Sequence, residues 1–221
     1  MEHTTRHDVH PEGDHDSHHD MHHDMGTNAM ALSATLHCLT GCAIGEILGL
    51  MIGTALGLGT WTTIAIAVSL AFLFGYALST LPLLRAGLGV GAALGIVLAA
   101  DTLSIATMEL VDNSVMALVP GAMEAGLVNP VFWLSMMLAL TVAFFAAWPV
   151  NRYLLARGKG HALTHEYHGA EPAGARRFIP DLATPTLVAA ITAFMLGGLV
   201  VSVADDLGAE PTAPHSAPVV R

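Results

Sequence analysis

The chain has 221 residues, of which 53% are hydrophobic and only 12% charged. That balance excludes an ordinary soluble domain, where charged residues make up about a quarter of the chain. The net charge of −10 is concentrated at the amino terminus, where the first 25 residues hold seven carboxylates and one arginine. It says little about the hydrophobic body, and nothing in the composition points to nucleic acid.

Residues 1–28 come first. Eight of the 13 histidines lie here, interleaved with Asp and Glu and almost devoid of large apolar side chains. Such a segment cannot bury enough surface to fold and is expected to be a disordered cytoplasmic tail. It does not read as a signal peptide, because acidic and histidine-rich residues precede the first apolar run. His15, His18, His19, His22 and His23 are expected to chelate divalent ions weakly.

Five apolar segments follow, at about 29–56, 61–81, 86–110, 131–150 and 182–204. Each is long enough to cross a hydrocarbon core of about 30 Å. The predicted fold is therefore all-α, an integral membrane helical bundle of five transmembrane helices. The last span has an alternative as a peripheral hairpin. A Gly-Leu-Gly-Thr turn joins spans one and two and puts Trp61 at an interface, and Trp133 and Trp148 flank span four. With the amino terminus inside, Arg6, Arg85, Arg152, Arg157, Lys159, Arg176 and Arg177 all lie on the inner side, leaving Arg221 outside. The positive-inside bias then gives an N-in, C-out protein of the plasma membrane. Residues 205–221, rich in proline, read as a second disordered tail.

Span one carries Gly41, Gly45, Gly49, Gly53 and Gly57, and span three carries Gly87, Gly91 and Gly95 at the same spacing. Small residues every fourth position permit close backbone approach in lipid. The economical expectation is that spans one and three pack on each other; the alternative is a homodimer seam.

The most informative residues lie in span one, where Cys38, Cys42 and Glu46 recur every four residues beside His37. One helical face then presents two thiols and a carboxylate. Two cysteines so placed on one helix make a poor disulfide and read as free thiols or ligands. With spans one and three parallel, Glu46 and Asp101 are expected at similar height near the midplane, with Thr102 and Ser104 nearby. Met108, Glu109, Asp112, Asn113 and Met116 lie further out, followed by Met123 and Glu124, with Met136 and Met137 at the same height. Ionisable groups within a bilayer are costly and tend to be functional. Thiolates and thioethers favour Cu(I), thiolates with imidazole suit Zn(II), and carboxylates take many divalent ions. Each feature also has a plainer reading: cysteine as a small hydrophobe, methionine as core filler, and Glu109 and Asp112 as hydrated interfacial groups. His161, His165 and His168 could hold a further ion on the inner side, or simply lie among headgroups.

The runs HCLTGCAIGE, DTLSIATMELVDNSVM with VPGAMEAG after it, and PVNRYLLARGKGHALTHEYH together resemble a bacterial family of small multi-pass membrane proteins known as a domain of unknown function. The resemblance covers roughly residues 29–168 and implies a membrane location without an activity. A fainter likeness is to small mercury and copper carriers with cysteines in the first transmembrane helix. Here the cysteines are four apart rather than adjacent, so a two-coordinate transfer does not carry over. No P-loop, phosphorylatable Asp motif or CxxC pair is present.

The leading expectation is binding and translocation of a transition-metal ion, Cu or Zn, through His37, Cys38, Cys42, Glu46 and Asp101, without enzymatic activity. One alternative is a membrane redox or haem-binding protein. Another is a non-transporting adaptor whose tail delivers metal to a partner protein.

Overall fold

The computed structural model describes residues 16–157, 174–180 and 183–208. Among these the chain is helical: α1 (Asp16–Ala55), α2 (Thr60–Arg85), α3 (Val90–Leu118), α4 (Pro130–Ala156), a 3-10 turn (Gly174–Phe178) and α5 (Thr184–Gly208). A helix satisfies its own backbone polar groups, which hydrocarbon cannot do for it. Residues 28–55 of α1, together with α2, α4 and α5, are each long and apolar enough to cross a membrane. The chain is thus a multi-pass membrane protein.

The third span departs most from expectation. It begins at Val90 and runs to Leu118, and its two arms, Val90–Ala99 and Asp101–Leu118, meet at 52°. Thr102 straddles the bend, its hydroxyl donating back to the Leu98 carbonyl, a bond known to bend helices. The Tyr76 hydroxyl bonds Thr102 Oγ1 at 2.8 Å and ties the bend to α2. The last span, by contrast, is an uninterrupted helix.

The first helix also begins earlier than expected, since residues 16–28 are helical rather than unstructured. Extending an existing helix fixes one residue at a time and avoids the nucleation cost, so a folded span carries its leading turns with it. Residues 1–15 and 209–221 lie outside the described residues, as do His161, His165 and His168.

Short turns join the first three helices. At α1–α2, Gly57 takes φ +62° while Leu58 N–H bonds the Gly53 carbonyl at 2.8 Å. At α2–α3, Gly87 takes φ +108° while Leu88 N–H bonds the Leu83 carbonyl at 3.1 Å. These are glycine C-caps of the Schellman kind, which stop one helix and start the next antiparallel to it. In consequence α1 and α3 run parallel, as anticipated.

The glycine ridge of α1, however, faces α2. A Cβ added at Gly45 would lie 2.1 Å from the Ala71 nitrogen, at Gly49 2.3 Å from Ala67 Cα, and at Gly41 2.5 Å from Gly75 Cα. At Gly53 it would meet Thr63 Oγ1 at 2.3 Å. Added at Gly91 or Gly95 of α3, it meets nothing within 4 Å. The expected α1–α3 glycine contact is therefore replaced by an antiparallel α1–α2 seam. The reason is that α2 offers its own small residues in matching register: Thr63, Ala67, Ala71 and Gly75. Gly75 serves two neighbours, because its other side receives Ile105 of α3.

The remaining helices close the bundle, with α4 packing on α3 and α1, and α5 on α4 and α1. Trp133 lies against Gly198 of α5 and donates its indole N–H to the Leu127 carbonyl at 2.7 Å. Two polar links join helices near the start of the bundle. Asn151 Nδ2 donates to Thr35 Oγ1 at 2.8 Å, and Thr184 Oγ1 donates to Ser33 Oγ at 3.1 Å. Large apolar side chains such as Leu73, Leu103, Leu138 and Phe145 point outward, as lipid contact requires.

Candidate functional site

The face of α1 opposite α5 carries Cys38, Cys42 and Glu46, and all three are buried. The parallel run of α3 sets acids beside them. Cys38 lies among Asp101 and Ser104 of α3 and Ser79 of α2. One turn on, Cys42 sits against Glu109. A further turn on, Glu46 faces Asp112, with Glu109 close by. The result is three successive thiol–acid or acid–acid rungs along a single seam.

This register corrects one expectation. Glu46 and Asp101 are not level; Asp101 meets Cys38, and Asp112 meets Glu46. The cause is that α3 begins at Val90 and continues to Leu118, so each of its residues lies about two turns nearer the start of α1 than a span ending near residue 110 would place it. The same register turns Glu109 and Asp112 inward: they are 5% and 4% exposed, and Glu46 is 7% exposed. They are core groups rather than hydrated interfacial ones.

The carboxyls at the two rungs farther along α1 are poorly served. Both oxygens of Glu46, both of Glu109 and Oδ1 of Asp112 complete no hydrogen bond. They lie close to their neighbours without the geometry of a bond. A buried carboxylate with no partner costs several kcal/mol and so holds a proton or a cation. The seam opens at its far end into a cavity of about 360 Å³, lined by Glu46, Asp112 and Asn113 among others, and none of its lining residues is basic.

The other candidates are distributed as follows. His37 is buried, but it lies one turn before Gly41 on the stripe that meets α2. Its Nδ1 donates to the Ser33 carbonyl at 2.8 Å. Met108 is fully buried in the core beside the rungs. Met116, Met123 and Met136 line the cavity, whereas Met137 turns to a separate apolar crevice beside α5. Among the described residues, no group of three or more His, Cys, Asp or Glu side chains is arranged to hold a metal ion.

Two contributors escaped the sequence reading. Ser79 lies beside Cys38, and its signal is the four-residue spacing of small side chains along α2. Asn151 anchors α4 to Thr35; an amide two residues after a proline inside an apolar helix gave little indication of its partner.

Residues 27–160, more than half of the chain, match the family model described as Domain of unknown function (DUF4396), and the protein belongs to that family. Comparison with curated proteins and with solved structures returns no match.

Proposed function

We propose that this member of the family binds a transition-metal cation, Cu or Zn, and passes it across a bacterial inner membrane along the α1–α3 seam. The observation that carries the reading is the continuous line of rungs, Cys38–Asp101, Cys42–Glu109 and Glu46–Asp112, whose outer carboxyl oxygens are buried without partners. Uncompensated acids in a low-dielectric bundle hold a proton or exchange it for a cation, and adjacent thiols bias the choice of cation toward soft or borderline metals.

The orientation belongs to the same proposal. Arg85, Arg152, Arg157, Arg176 and Arg177 cluster at the helix ends where α1 enters, which makes that end cytoplasmic by the positive-inside bias. The cavity then faces outward and His37 lies toward the cytoplasm. Cys38 and Cys42 lie four residues apart on one helix, a poor geometry for the reversible disulfide that a disulfide-exchange role needs.

Metal content tests the reading. Protein lacking residues 1–25, purified in detergent and analysed for elements, is expected to retain Cu or Zn and to lose it on Cys42→Ser or Glu46→Gln. Bound metal that disappears with the tail alone would favour the adaptor reading instead.

A further inference from the structure

We infer that the cavity at the outer end of the seam is a capture site for a soft monovalent cation of the Cu(I) class, held by the thioethers of Met116, Met123 and Met136. This rests on the proposed passage of a metal and narrows it. Three of the chain's 11 methionines line one cavity, and they come from three different elements: α3, the α3–α4 connection and α4. Met116 and Met136 belong to the buried core and Met123 packs against it, so the same side chains that fill this part of the bundle also line the cavity that reaches the buried acids. The lining contains no His and no Cys; besides the thioethers its charged donors are the carboxyls of Glu46, Asp112 and Glu124, so the three sulfurs are what sets a soft ion apart from Zn(II) there. Neutral sulfur is a good ligand for Cu(I) and a poor one for hard divalent ions.

An independent observation gives the captured ion somewhere to go. Glu46 and Asp112 line the same cavity, are more than nine-tenths buried, and carry oxygens without hydrogen-bond partners. An ion released by neutral sulfur therefore meets carboxyl oxygens of the same cavity, where it can take the place of a proton, and beyond them Glu109 and the Cys42 thiol. The thioethers select, and the acids receive the ion as their protons leave.

The test uses the full chain in lipid nanodiscs with methionine methyls labelled with carbon-13, titrated with Ag(I) as a redox-silent probe and separately with Zn(II). Single Met→Leu variants assign the resonances. The methyls of Met116, Met123 and Met136 are expected to shift with Ag(I) and not with Zn(II), and the triple Met→Leu variant to bind Ag(I) at this site at least tenfold more weakly while remaining helical. Binding to the histidine tail leaves these methyls unmoved. Resonances that stay fixed, or that respond equally to Zn(II), overturn the inference. A parallel Ag(I) flux assay in proteoliposomes separates the two claims. Flux without methyl shifts refutes the capture site and keeps the passage reading; methyl shifts without flux keep the capture site and refute passage.

Discussion

Replacing Gly45 by alanine is expected to destabilise the bundle, whereas the same change at Gly91 or Gly95 is not. The new methyl at position 45 would lie 2.1 Å from the backbone nitrogen of Ala71. Comfortable contact begins near 3.5 Å, so α2 must retreat by about 1.4 Å. A backbone atom cannot swing aside as a side chain would, and the retreat also loosens Gly41 and Gly49 on the same stripe. Overpacking of this kind costs about 1–3 kcal/mol. At Gly91 and Gly95 the methyl meets nothing within 4 Å, and alanine gains up to about 1 kcal/mol of helix propensity. Unfolding in mixed micelles, driven by rising SDS and followed by far-ultraviolet circular dichroism, measures both. The reasoning is refuted if Gly45→Ala unfolds like the parent while Gly91→Ala and Gly95→Ala weaken it. That pattern would place the close contact on α3.

Other consequences can be checked separately. Glu46→Met and Asp112→Leu are each expected to raise unfolding stability by about 1–3 kcal/mol, because they remove buried polar atoms without partners; a loss of similar size in a thermal melt would mean those acids have structural partners. Asn151→Ala should cost about 1 kcal/mol, with a coupling of about 0.6 kcal/mol to Thr35→Ala in a double-mutant cycle. Strict additivity of the two would deny the 2.8 Å bond between them. Cys38 and Cys42 are buried and free, so a membrane-impermeant maleimide should label neither in the folded protein and both after SDS; rapid labelling of native Cys38 would contradict the packing.

Much of the architecture could be read from the residues. Hydropathy located four spans, although the fourth continues to Ala156, beyond its expected end at 150; Pro130 and the Asn129 side chain capping Val131 at 2.9 Å mark the start of α4 as clearly as its apolar run does. Span three was misplaced for a physical reason: Asp101, Glu109, Asp112 and Asn113 lower its hydropathy where α3 is most deeply buried by its neighbours. The four-residue ridge on α1 was legible, but its partner was not sought among alanines and threonines. Thr63, Ala67, Ala71, Gly75 and Ser79 repeat at the same interval, and that pattern could have identified α2. For the site, the face shared by Cys38, Cys42 and Glu46 followed from helical periodicity, whereas the pairing of each with a particular acid depended on where α3 begins. That start is set by the Gly87 turn rather than by the acids themselves.

The central claim is that a metal cation passes along the rungs between α1 and α3. Uptake of Cu(I) and Zn(II) into proteoliposomes containing the full chain, compared with Glu46→Gln and Cys42→Ser, tests it most directly. The account predicts saturable uptake that falls at least tenfold in either variant while the helical content is unchanged. Uptake that is absent from the parent, or that proceeds undiminished in both variants, would contradict it.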